Sequence, residues 1–144
     1  MKRSALVVLC LILAASYAAA QPKQLDSREE CLRVCDEFMK RYAAGRIEKG
    51  FEVLKPYSVI PEKEFTEAVS QSVNQLGLIG NRIGKIVGYQ LVGEETVKDT
   101  IVKYTFIAKY EKHVIRCIFM FYRPGEKWIF NRFNFDDNVD ELFR

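Results

Sequence analysis

Apolar residues recur at helical spacing up to about position 80 and alternate with polar ones after it, so the chain divides into a helical first half and a sheet second half. Cys31 or Leu32, Cys35, Phe38 or Met39, and Tyr42 form one stripe, which predicts a helix over 27–44. Ser27 with Glu30 is a capping box at its start, and Gly45 supplies a left-handed stop. Ile47, Phe51 and Leu54 predict a short helix over 46–55, ended by Pro56 and weakened by Gly50. Pro61 suits the first turn of a third helix, whose inward stripe is Phe65, Ala68 or Val69, Ser72 or Val73, and Leu76. Gly77, Gly80 and Gly84 mark its exit.

Four strands follow, over 85–94, 100–110, 113–122 and 127–135. Their connectors are short, including Arg123-Pro124-Gly125-Glu126, so antiparallel hairpins are expected. Val102, Tyr104, Phe106 and Ala108 form the face turned to the helices. A two-residue turn at Glu111-Lys112 places Phe106 opposite Cys117 and Tyr104 opposite Phe119; a three-residue loop would reverse that parity. Carried through the Pro-Gly turn, the same register sets Phe121 opposite Trp128 and Phe119 opposite Phe130. Asp136 or Asp137 can cap a short final helix ending at Leu142 and Phe143. The fold class is therefore α+β, with N-terminal helices packed on the concave face of a curved four-stranded antiparallel sheet. The reverse face carries Ile118, Met120, Tyr122 and Ile129 among Lys103, Lys109 and Arg116, which suits a partner, including a second copy of the chain.

Before the first helix, Met1-Lys2-Arg3-Ser4 and the apolar run Ala5 to Ala15 lead to Ala18-Ala19-Ala20-Gln21. That is the three-part pattern of a secretory signal peptide over 1–20, cut between Ala20 and Gln21, and it predicts an exported protein, periplasmic or secreted. Residues 21–26 read as a flexible tail and 27–144 as one domain. Lys2 and Arg3 leave with the leader, so the formal charge of +3 falls to +1. Such balance argues against a nucleic-acid surface, and no second apolar run is long enough to span a membrane.

The segments FTEAVSQSVNQLGLIGNRIGKIVGYQLVGEE and GEKWIFNRFNF, in this order after two helices, resemble the ketosteroid-isomerase and nuclear-transport-factor-two superfamily, of cystatin-like α+β fold, and especially its small exported members without an assigned function. The resemblance covers about 27–135 and implies a cone, often dimeric through its sheet, with a pocket between the helices and the concave face. The superfold hosts unrelated functions and does not select an activity. Gln90-Leu91-Val92-Gly93 also approaches the Gln-x-Val-x-Gly wedge of cystatin inhibitors, but is one residue short of it.

Aromatic residues dominate the predicted inward surface. Phe38, Tyr42, Tyr104, Phe106, Phe119, Phe121, Trp128 and Phe130 form either an ordinary core or the lining of a pocket. Arg132 and Asn134 share their parity, so an inward Arg132 could hold a carboxylate or phosphate, or pair instead with Asp36 or Glu37. A β-bulge after Ile129 would turn Arg132 outward. No inward Asp or Glu accompanies the tyrosines, so no catalytic residue is singled out. His113, the sole histidine, falls at an exposed turn, and nothing calls for a metal or cofactor. Cys31 and Cys35 lack the Cys-x-x-Cys spacing of a redox centre; Cys35 with Cys117, or Cys31 in its place, could form a helix-to-sheet disulfide, or all could be buried thiols. The expected role is that of a non-enzymatic exported domain binding a small apolar or amphipathic ligand or a protein partner. A cofactor-independent isomerase or hydrolase in the same cone is the alternative.

Overall fold

The structure, a computed structural model, describes residues 21–144, so the expected leader and the Ala20 side of its cleavage point lie outside the described residues. Helix α1, Arg28–Ala43, begins at Ser27, whose hydroxyl accepts from the Glu30 amide at 3.2 Å. Glu30 reaches back one residue farther than a simple capping box, taking the Asp26 amide at 2.8 Å. Cys31, Val34, Cys35, Phe38, Met39 and Tyr42 are its buried stripe. Gly45, at φ +77°, turns the chain into α2, Ile47–Leu54. A side chain at Gly50 would bring a Cβ within 3.1 Å of the Phe38 carbonyl, so the glycine that weakens α2 locally is what lets it lie close on α1.

Helix α3, Glu62–Ile83, runs through Gly77 and Gly80 rather than stopping at them, and ends at Gly84 with φ +93°. Each mid-helix glycine costs only about 1 kcal/mol, and the apolar stripe continuing to Leu76, Ile79 and Ile83 holds the last turns against the core. Gly80 admits the Tyr110 ring at 3.7 Å from where its Cβ would be. Only Phe65 and Leu76 of α3 count as buried.

Strands β1, Ile86–Val97, β2, Ile101–Tyr110, β3, Val114–Tyr122, and β4, Ile129–Asp136, form one antiparallel meander in that order, and three helices pack against it. The two-residue turn at Glu111-Lys112 sets the expected β2–β3 register, with Phe106 opposite Cys117 and Tyr104 opposite Phe119. The β3–β4 register departs from expectation. Phe121 pairs with Phe130 because β4 begins at Ile129, two residues later than a four-residue connector would place it, and a bulge at Asn131 then adds one more residue to β4, so Phe119 meets Phe133. Arg132 therefore pairs with Met120 on the outer face, Asn134 with Ile118 beside it, and Phe133 takes the inward position expected for Arg132. Edge strand β1 carries two further irregularities, at Val87 and Val92. Such bulges spoil an edge as a template for another chain. Gln90–Gly93 lies within this bulged strand and not in an inhibitory loop.

The segment expected as a tail is tied down. Leu25 is buried and exchanges two 2.8 Å backbone hydrogen bonds with Trp128, Lys23 donates to the Pro56 carbonyl, and Asp26 pairs with Lys127. Trp128 therefore bridges to Leu25 instead of standing opposite Phe121. At the other end the short final helix is a 3-10 helix, Val139–Phe143, whose cap position is Asn138; Asp136 accepts from the Asn138 amide just before it. Its Glu141 and Leu142 stand beside Arg116, Ile118 and Thr105, so the chain itself covers part of the outer sheet face. Among the described residues no helix is long and apolar enough to cross a membrane.

Candidate functional site

The aromatic surface under α1 is filled by its own side chains. The Phe119 ring lies 5.2 Å from Phe38, 5.7 Å from Phe106 and 5.0 Å from Phe133. Phe121 packs on Tyr104 and Phe130. Edge-to-face and tilted contacts of this kind each add about 0.5–1.5 kcal/mol beyond the area they bury. Phe38, Tyr42, Tyr104, Phe106, Phe119, Phe121, Trp128 and Phe130 are all buried, and among the described residues no buried side-chain nitrogen or oxygen lacks a partner. The eight aromatic candidates thus form a core.

The interior tyrosines bond to each other and to backbone. Tyr42 and Tyr110 hydroxyls are 2.7 Å apart, and Tyr104 donates to the Arg28 carbonyl at 2.9 Å. Burial pushes the Tyr42 and Tyr104 phenols well above their ordinary range. The tyrosine that does meet a carboxylate is Tyr89, 2.7 Å from Asp36 Oδ1 at the seam of α1 and β1; burial first, then this bond, raises its phenol to about 12. That phenol is too weak an acid, and too strong a base once ionised, to exchange protons readily near neutral pH. His113 is half-buried at the β2–β3 turn, where its carbonyl accepts from the Tyr110 amide.

Cys31, Cys35 and Cys117 are free and buried, so of the two readings left open by the sequence the structure has the buried thiols and not a staple from Cys35, or Cys31, to Cys117. Burial raises all three thiols: Cys31 is pushed up to about 12, with Glu30 adding to the effect, and the more deeply buried Cys35 and Cys117 stand well above the usual thiol range. Neutral thiols of this kind pack as small apolar groups. Among the described residues no group of His, Cys, Asp and Glu could hold a metal ion.

Open space lies instead along α3, which holds the sheet edge and α2 apart through its partly buried stripe. Between α2, α3 and β4 is a cleft of about 250 Å³, walled by Phe51, Leu54, Phe65, Val69, Phe130 and Phe133. A second cleft of about 370 Å³ opens on the other flank of α3 and shares Phe51, Phe65 and Val69 with the first. Phe65 also lines a third, beside Val59, Ile60 and Gln21. The second cleft carries Glu48, Glu52 and Lys55 on its wall, whereas the first has no carboxylate and one charged lining residue, Arg132.

Of the residues singled out from sequence, Phe130 and Arg132 reach this first cleft. Phe51, Leu54, Phe65 and Val69 were legible as the inward faces of α2 and α3, but not as a site, because a stripe half-covered by its neighbours has the same spacing as one fully covered. Phe133 was hidden by the bulge. Compared with known proteins, the chain matches no family model, no curated protein and no solved structure.

Proposed function

We propose that the protein is an exported, non-enzymatic domain that binds a small apolar or amphipathic ligand in the cleft between α2, α3 and β4. The supporting observation is the composition of that cleft: aromatic and aliphatic walls, with polar groups limited to Ser58, Ser72, Asn131 and Arg132. Ligand sites have this character, a mostly apolar concavity with a few polar groups, and run roughly 300–1,000 Å³. At about 250 Å³ this one suits a small molecule or a single short chain. The reading keeps the pocket that the resemblance to the ketosteroid-isomerase superfamily implies between helices and sheet, but moves it from the centre of the sheet to the β4 edge. The interior tyrosines lack a carboxylate partner, which favours binding over the isomerase or hydrolase alternative.

The test is binding of the neutral apolar dye N-phenyl-1-naphthylamine, followed by its fluorescence. Binding with a blue shift is expected for the unaltered chain. Val69→Trp, which fills the cleft from a half-buried position, abolishes it while leaving the circular dichroism spectrum unchanged. Equal dye binding by the two proteins would reject the site.

A further inference from the structure

The register of the sheet lines up the outward side chains of its four strands in rows that run across it. Val97, Ile101, Tyr122 and Ile129 make the row nearest the β1–β2 and β3–β4 turns, and every member is apolar or aromatic. Glu95, Lys103, Met120 and Arg132 make the next. Beyond these the chain covers itself, with Glu141, Leu142 and Arg144 beside Gly93, Thr105, Arg116 and Ile118. The first row keeps its exposure: Val97 is 62% and Tyr122 38% open to solvent.

The second row carries unequal charge at its two ends. At the β1 end Lys103 pairs with Glu95 at 2.9 Å, yet the Glu95 side chain stays largely exposed and has lone pairs for a second cation. At the β4 end the Arg132 guanidinium makes no ion pair among the described residues; its contact is Nη2 at 3.9 Å from the Met120 sulfur, a weak acceptor on the same outer face. One edge of the face therefore holds an unpaired cation and the other a carboxylate with spare capacity.

Symmetry brings those two edges together. Two copies stacked face to face about a two-fold axis parallel to the strands put β1 of one over β4 of the other and keep each row over its own counterpart. Arg132 then meets the partner's Glu95, Lys103 the partner's Met120, Val97 the partner's Ile129 and Ile101 the partner's Tyr122. An axis across the strands fails wherever it is placed. Through the second row it sets Arg132 on the partner's Arg132, and between the rows it lays three charged side chains on the apolar row.

We propose that this face holds a second copy of the chain, in a dimer whose apolar contact is the row from Val97 to Ile129 and whose alignment is fixed by two symmetric pairs of Arg132 with Glu95. The terminal segments stand in the same gap farther down and confine the contact to these two rows. A patch of four strands by two rows, roughly 20 Å by 10 Å at ordinary strand spacings, is smaller than the face of a permanent dimer. The association is accordingly weak, with a dissociation constant on the order of tens of micromolar.

Sedimentation equilibrium of the chain beginning at Gln21, which contains every described element, is expected to show a monomer and dimer exchanging with concentration, and added salt shifts the balance toward monomer. Arg132→Glu and Glu95→Arg each bring like charges together at both pairs, so each variant is monomeric where the unaltered chain is half dimer, with an unchanged circular dichroism spectrum. Mixed in equal amounts the two variants dimerise, because each supplies the charge the other lacks, and a chain carrying both substitutions dimerises with itself. Tyr122→Asp puts a charge in the apolar row and stays monomeric. A chain that remains monomeric to about 1 mM, far above the expected constant, overturns the inference. So does a dimer unaffected by Arg132→Glu, or a mixture of the two single variants that stays monomeric. None of these results bears on the cleft, whose apolar walls lie on the helix side of the sheet.

Discussion

Cys31, Cys35 and Cys117 share the interface of α1 and the sheet, and removal from water holds all three as neutral thiols, Cys31 up to about 12. A thiolate is the reactive form, so the folded chain should react with a thiol reagent such as DTNB at pH 8 far more slowly than the chain in denaturant, where all three are released. The same burial makes stability depend on alkali. A thiol whose folded value lies above its unfolded value of about 8.5 contributes stability that is fully present below that pH and is lost as pH rises toward the folded value. The urea midpoint should accordingly fall between pH 8.5 and 11, and a flat profile there would contradict the burial. Asp136 has the opposite sign. The Arg116 guanidinium, hydrogen-bonded to it through two contacts, holds its carboxyl below the usual range. Its contribution is present above the unfolded carboxylate value and is lost as pH falls through the lowered one. Asp136→Asn should cost about 1 kcal/mol at pH 7, a modest figure because the pair is partly exposed, and the cost should vanish once acid protonates the carboxyl in the folded chain as well.

The elements show which local signals survive assembly. Gly77 and Gly84 read alike in the sequence, yet one is inside α3 and the other ends it. Gly77 has open space where a Cβ would go, so Gly77→Ala should stabilise the chain by roughly 0.5–1 kcal/mol. Gly84 sits at φ +93°, and a Cβ there would meet Glu111 Oε2, which accepts from the Lys85 amide. Gly84→Ala should therefore destabilise by roughly 1–3 kcal/mol; thermal or urea unfolding of the two variants reads both signs in one experiment. The β2–β3 register was legible because a two-residue turn fixes parity over the whole hairpin. The β3–β4 register was misread because alternation was carried straight through the strand from the turn, whereas the two successive polar residues Asn131 and Arg132 between Phe130 and Phe133 shift its phase, and packing of Phe133 against Phe38 and Phe51 holds the shifted frame.

At the scale of the molecule, the first and last segments close what the sheet and helices leave open. Leu25 seals the chain against Trp128, so removal of residues 21–26 should lower stability by about 2–4 kcal/mol, the range for losing one large buried side chain. An unchanged unfolding midpoint would show the segment to be the loose tail that its polar composition suggests. A single leucine among Pro22, Lys23, Gln24 and Asp26 has no periodicity to betray its burial. By itself, the order of periods along the chain determined the α+β class, the antiparallel hairpins and the inward aromatic set, because helix and strand each repeat at their own spacing and burial follows that spacing. Only the tertiary structure decided whether the inward surface was a core or a pocket, which residue stood beside Arg132, and whether the thiols met. Those outcomes depend on how closely surfaces approach in three dimensions, and a closed contact and an open cleft are written with the same apolar letters.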